Sequence, residues 1–225
     1  MTFLNRAEAG RRLAKLLLEY RGQKDVLVLA IPRGGVPVAF QVAKELEVPL
    51  DVFVVRKLGV PGHEELAFGA IASGGIRYRD SEMIEAAKIS EAEIESISAK
   101  ETRELERREG AYRGGRAALA VKGRTVILVD DGIATGASME VAIMAVRRMR
   151  PARIIVATPV APVSTCRRLD RDVDGIVCVH VPASFSAIGE FYEDFSQVSD
   201  EEVKDLLRGN VRGSLKSANL LTKLV

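Results

Sequence analysis

Five short runs of the 225-residue chain are apolar at almost every position: "DVLVLAI" from Asp25, "DVFVVRK" from Asp51, "TVILVDD" from Thr125, "RIIVATPV" from Arg153 and "GIVCVHVP" from Gly175. A strand with one wet face alternates apolar and polar residues. A run that is apolar throughout belongs to a parallel sheet covered on both faces. Between these runs the period changes. "VPVAFQVAKEL" spaces its apolar residues by three and four, with Pro37 near the first helical turn, where a missing N–H costs nothing. "ASMEVAIMAVRRM" repeats that spacing and stops near Pro151. Alternation of strand and helix predicts an α/β fold: a parallel sheet with right-handed crossovers and helices on both faces. Ligands of such sheets bind at the carboxyl ends of the strands.

Two regions break the alternation. "GVPGHEELAFGAIASGG", from Gly59 to Gly75, reads as a glycine-rich loop joined to a short strand near Phe68 to Ser73, with a hairpin as the alternative. From Ser90, "SEAEIESISAKETRELERREGAYRGG" reads as a polar helix lying over the surface, with Ser90 and Glu93 at capping-box spacing. Beyond Val203 periodicity is weak, and the segment is expected to be a frayed end or a packing arm. No repeat or linker divides the chain. One domain over 1–225 is expected, with its core at about 25–182.

Composition narrows the function classes. A 47% hydrophobic, 28% charged chain can bury a sizeable core. Its 33 basic and 31 acidic residues leave a net charge of +2, so no global field draws nucleic acid or an anionic membrane, and any anion site must be local. Cys166 and Cys178 lack CxxC spacing, which argues against a disulfide framework or a structural zinc. The first twenty residues are punctuated by Glu8, Arg11, Arg12 and Lys15 and hold no long apolar stretch, so a cytoplasmic, soluble protein is expected.

The chemistry concentrates in "VILVDDGIATGAS", Val126 to Ser138. A strand ends in two acids, and a turn of small residues leads into a helix. Backbone N–H groups and the positive end of the helix dipole form a ready phosphate site there, with Thr135 and Ser138 as hydroxyl donors. Carboxylates repel phosphate, so Asp130 and Asp131 must serve another part of the same ligand. Vicinal sugar hydroxyls, which donate to carboxylate oxygens, suit them. A ribose 5-phosphate satisfies both halves. A second anion site is available in "IPRGGVPVA", where Arg33 is a bidentate donor and Gly34 and Gly35 allow close backbone approach before a helix.

The thirteen-residue stretch resembles the signature of the type I phosphoribosyltransferases, which use 5-phosphoribosyl 1-pyrophosphate (PRPP). No GxGxxG or GxxxxGK[ST] alternative is present. The resemblance spans about Asp25 to Pro182 and implies that fold with a small hood. It implies that Asp130 and Asp131 hold the ribose hydroxyls, and that Gly132, Ile133, Ala134, Thr135, Gly136, Ala137 and Ser138 surround the 5-phosphate. Arg33, Gly34, Gly35, Arg56 and Lys57 would meet the pyrophosphate, and a non-proline cis peptide is implied beside Gly34. A mobile lid over about 57–75 would close on the reaction, bringing in His63, Glu64 and Glu65 as candidates for steering or protonation. Arg33 and Lys57 join those three as catalytic candidates. Mg²⁺ is implied, held mainly through substrate, with Asp130 and Asp131 as the carboxylates nearest it.

The acceptor is implied to be a nitrogenous base. In the 6-oxopurine branch an acid stands three residues beyond the acidic pair, where this chain has Ala134. The hood and tail, 183–225, contain "VHVPASFSAIGEFYEDFSQV" in part, which is similar to that branch's base-binding region and makes Phe185 and Val181 the base-contact candidates. His180 reads as a satisfied strand residue before a proton shuttle. The set "IPRGGVPVA", "RKLGVPGHEELAFGAIA", "VDDGIATGAS" and "FYEDFSQVSDEEV" is similar to bacterial and archaeal predicted phosphoribosyltransferases with no settled acceptor. Self-association as a homodimer follows the family's habit. Two further readings stand beside transfer: a PRPP-binding regulator without turnover, and a domain that releases pyrophosphate without an acceptor base.

Overall fold

A computed structural model describes residues 1–209, the Glu65 side chain excepted, so the tail expectation for 210–225 lies outside the described residues. Five parallel strands form one sheet in the order β2-β1-β6-β7-β8: β1 Val26–Ala30, β2 Leu50–Val52, β6 Thr125–Val129, β7 Arg153–Val160 and β8 Gly175–His180. All five predicted runs contribute a strand. Their side chains divide between two cores: Val26, Val28, Ala30, Ile127 and Val129 face one, while Leu27, Leu29, Val126 and Leu128 face the other. The period of two puts alternate residues on opposite faces, and both faces are dry, which is why these strands read as unbroken apolar runs.

Helix α1 (Arg6–Lys15) and helix α2 (Gly35–Leu46) pack on the first face through Leu13, Val38, Val42 and Leu46. Helix α5 (Ala137–Arg148) covers the second through Met139, Ala142, Ile143 and Val146. The short α6 (Val163–Leu169) follows β7.

The run from Asp51 is not one strand. β2 stops at Val52, and after Phe53 and Val54 the chain enters β3 (Val55–Val60) of a separate antiparallel sheet with β4 (His63–Ala72) and β5 (Ile76–Arg79). The switch is fastened by Ser73, whose hydroxyl accepts from Val54 N at 2.9 Å while its N–H donates to Val54 O at 2.9 Å. The segment from Gly59 to Gly75 thus takes the hairpin alternative, with strand in place of the glycine-rich loop, because Leu58, Val60, Phe68, Ile71 and Ala72 find burial in the two cores.

After α3 (Ser81–Ala86), the polar helix runs as α4 (Glu91–Arg113), with the Ser90/Glu93 capping box present. It does not merely overlie the surface. Ile94, Ser98, Leu105, Tyr112 and Arg113 are buried, and Arg113 pairs with Asp51 at 3.0 Å and donates to Val52 O at 2.8 Å. Of the two alternatives for the segment beyond Val203, the packing arm fits its described part: residues 200–209 are helical, and Val203 and Leu207 enter the first core. Residues 183–199 dock on the N-terminal segment, with Phe3, fully buried, donating its N–H to Phe191 O and accepting from Glu193 N, both at 2.8 Å.

Candidate active site

Asp130 and Asp131 follow the last residue of β6, at the carboxyl edge of the sheet. The loop before α2 lies directly against them. A Cβ on Gly34 would stand 2.1 Å from Asp131 Oδ2, and one on Gly35 2.7 Å from Val129 O, so only glycine admits this approach. The Pro32–Arg33 peptide is cis, one bond earlier than the place implied beside Gly34.

Asp131 is buried and engaged. Arg6 Nε donates to its Oδ2 at 2.7 Å, and the Tyr192 hydroxyl donates to its carbonyl at 2.5 Å. The Arg6 guanidinium lies 4.0 Å from the Phe195 ring centroid and also donates to Ser196 O at 2.7 Å. Asp130 is half-buried, and its carboxylate accepts the Asp131 N–H at 2.8 Å. Burial, with the adjacent Asp131 charge, holds the Asp130 pKa well above the usual carboxylate range. The two acids thus differ: one is an anchored ion-pair partner, the other a half-buried carboxylate that ionises reluctantly.

The small-residue turn is tied from behind. Ile133 donates its N–H to Val160 O at 2.9 Å, Thr165 Oγ1 donates to Ala134 O at 2.7 Å, and Arg168 bonds Thr135 O while pairing with Glu140. Ile133 itself is a core residue, and Gly132 backs onto Ile188, where a Cβ would come within 2.4 Å. Gly136, at φ +78°, is the N-cap of α5 and offers no side chain to the first-turn N–H groups. Those donors, beside the exposed Thr135 and Ser138, are available to an anion.

A second region is a cavity of about 610 Å³ between β3, the β3–β4 turn, α4 and the start of α5, with Arg56, Lys57, Glu64, Lys100, Glu101 and Ser138 in its wall. Arg56 is held by Glu101, Nη2 at 2.5 Å and Nε at 2.7 Å. Arg33 does not line this cavity. Its guanidinium faces Asp200 at 3.7 Å; Asp200 also lies 3.8 Å from Arg107 and accepts the Tyr112 hydroxyl at 3.0 Å. Burial, then the bond to Asp200, pushes the Tyr112 phenol up to about 12. His63 sits exposed at the hairpin turn opposite Val60, apart from the cavity wall, and Glu65's side chain lies outside the described residues.

Phe185 stacks on Phe191, ring centroids 5.5 Å apart, in a small cluster with Phe3 and Val160, while Val181 is exposed. His180 meets Phe191 edge-on at 5.6 Å, and its pKa is lowered by partial burial and the chain's N-terminal charge. Sequence reasoning missed Arg6, Tyr192, Glu101 and Asp200, because each reaches the site across a long sequence separation. Among the described residues no three His, Cys, Asp or Glu side chains cluster to hold a metal, and no helix is long and apolar enough to cross a membrane.

The parallel sheet, the acidic pair at a strand end and the phosphate-ready turn define a phosphoribosyltransferase-type α/β protein. The sequence model of the family described as "Phosphoribosyl transferase domain" matches residues 3–195, and the chain belongs to that family. It is 44% identical over 201 residues to a Mycobacterium tuberculosis protein named "Putative phosphoribosyl transferase Rv0571c". The match covers 89% of this chain and 45% of that protein, so the chain spans under half the length of this curated relative. The crystal structure of TT1426 from Thermus thermophilus superposes with a TM-score of 0.81 at 41% identity, covering 92% of this chain and 98% of that one.

Proposed function

We propose that the chain transfers 5-phosphoribose from PRPP to a nitrogenous base, with release of pyrophosphate. The observation that carries this reading is the meeting, at one edge of the sheet, of an acidic pair, an uncapped helix start and a separate basic cavity that shares Ser138 with it. Each matches one part of PRPP: the ribose hydroxyls, the 5-phosphate and the pyrophosphate.

In this reading the N–H groups at the start of α5, with Thr135 and Ser138, grip the 5-phosphate. Asp130 and Asp131 accept the ribose hydroxyls, Asp131 being pre-set by Arg6. Arg33, Arg56 and Lys57 stabilise the charge that develops on the departing pyrophosphate as the anomeric carbon passes through an oxocarbenium-like state. Removing one such preorganised donor typically costs ~10²–10³ in rate. Asp130 and Asp131 would lie nearest a Mg²⁺ ion carried in with PRPP, and such an ion would supply charge neutralisation for the departing pyrophosphate. The β3–β4 hairpin, carrying Gly59, Pro61 and Gly62, is the segment suited to shield the reaction from water. His63, Glu64 and Glu65 belong to it as proton-handling candidates. Phe185, partly buried with its ring stacked on Phe191, and the exposed Val181 are the base-contact candidates of this reading. A salvage role, cytoplasmic residence and a homodimeric assembly belong to the same reading.

Pyrophosphate release from PRPP, measured against a set of purine, pyrimidine and orotate-like acceptors, tests it. Release dependent on one acceptor is expected. Binding without release from any acceptor would favour the regulator, and acceptor-independent release a hydrolytic domain.

A further inference from the structure

The 610 Å³ cavity contains a group that the motifs do not account for. Three cations line it, Arg56 and Lys57 from β3 and Lys100 from α4, against two carboxylates, Glu64 and Glu101. Glu101 is committed to Arg56 through Nε and Nη2. Its placement comes from the geometry of α4: Ile97, Lys100 and Glu101 stand at i, i+3 and i+4, one face of the helix, and all three border the cavity. Ile94 and Leu105, buried in the first core, fix that face toward β3. Glu101 offsets Arg56 and Glu64 offsets one further cation, which leaves one net positive charge drawn from two elements, with the Ser138 hydroxyl at a helix start beside it, a wall that suits an anion.

We propose that Lys100 is a third pyrophosphate-binding cation and that Glu101 is a positioning residue that aims Arg56 at the same group. The inference rests on the PRPP reading and deepens it. The polar helix α4, which as sequence looked like a solvated cover, would supply one wall of the anion site.

The test is calorimetric titration of the full chain, separately with Mg²⁺-pyrophosphate and with ribose 5-phosphate, for the parent protein and for Lys100→Met, Lys100→Arg and Glu101→Gln. Lys100→Met is expected to weaken pyrophosphate binding about tenfold and to leave ribose 5-phosphate within about twofold, with Lys100→Arg restoring most of the loss. Glu101→Gln is expected to weaken pyrophosphate binding although it removes a negative charge. A merely repulsive carboxylate would do the opposite, so tighter binding would overturn its positioning role. Unchanged pyrophosphate affinity in Lys100→Met, or equal losses for both ligands, would overturn the Lys100 assignment and leave the PRPP reading standing. A parent protein that binds neither ligand would overturn both.

Discussion

Arg6, in the first turn of α1, reaches across 125 positions of sequence to donate from Nε to Asp131 Oδ2 at 2.7 Å. Both side chains are about nine-tenths buried, at 11% and 10% exposure, and the Phe195 ring covers the guanidinium. The pair ties the N-terminal helix, the acidic pair and residues 192–196 into one unit beside the proposed ribose site.

Breaking that pair strands a buried carboxylate. Arg6→Met is expected to lower stability by about 3 kcal/mol, read as a shift in the urea midpoint, and to weaken PRPP binding as Asp131 loses its orientation. An unchanged midpoint together with unchanged affinity would remove Arg6 from the account.

Asp130 should trade stability for function. Its folded-state pKa is raised, so the folded protein holds that proton more tightly than the unfolded chain does. Its contribution is therefore favourable at low pH and is lost as pH rises from about 4 through the raised value. Asp130→Asn is expected to flatten that part of the stability profile and to stabilise the protein at neutral pH. The same variant should bind PRPP at least about tenfold more weakly, since a carboxylate–hydroxyl bond becomes a neutral one. Equal stability profiles for variant and parent would count against the raised pKa.

Gly34 admits no side chain. A methyl group 2.1 Å from Asp131 Oδ2 must displace the loop or the acid, so Gly34→Ala is expected to destabilise the protein by about 1–3 kcal/mol and to reduce PRPP binding. Full retention of both, measured by thermal unfolding and calorimetry, would show that the close approach is not required.

Arg33 faces Asp200 rather than the basic cavity. If it turns to the pyrophosphate when PRPP arrives, Arg33→Ala will weaken pyrophosphate binding more than ribose 5-phosphate binding, by about tenfold. Equal losses for the two ligands would contradict two separate anion sites.

Tyr112 offers a local alkaline signature. Its folded-state pKa of about 12 exceeds that of a free phenol, so its stabilising contribution holds at neutral pH and is lost as pH climbs from about 10 toward 12. Tyr112→Phe should be less stable by about 1 kcal/mol at neutral pH, with the difference narrowing over that alkaline range. A constant difference would mean that the phenol does not titrate there.

The sheet was legible because both of its faces are dry: an unbroken run such as Val26–Ala30 can be little else when turn signals bound it and helices follow. The turn from the strand end to the helix start was legible because its acids and small residues are local, held within 13 consecutive residues. What escaped is non-local. Phe53 and Val54 look like the middle of a strand, and only the distant Ser73 shows where the chain leaves one sheet for another. Nothing in the hydropathy of α4 distinguishes Glu101, which holds Arg56, from the solvated glutamates around it. Arg6 likewise carries no local mark of its partner.

The most direct test of the central claim is calorimetric titration of the parent protein with PRPP, in the presence and absence of Mg²⁺. The account predicts one saturable site that tightens with Mg²⁺ and is lost in the Asp130→Asn, Asp131→Asn double variant. No binding, or binding that the double variant retains in full, would contradict it.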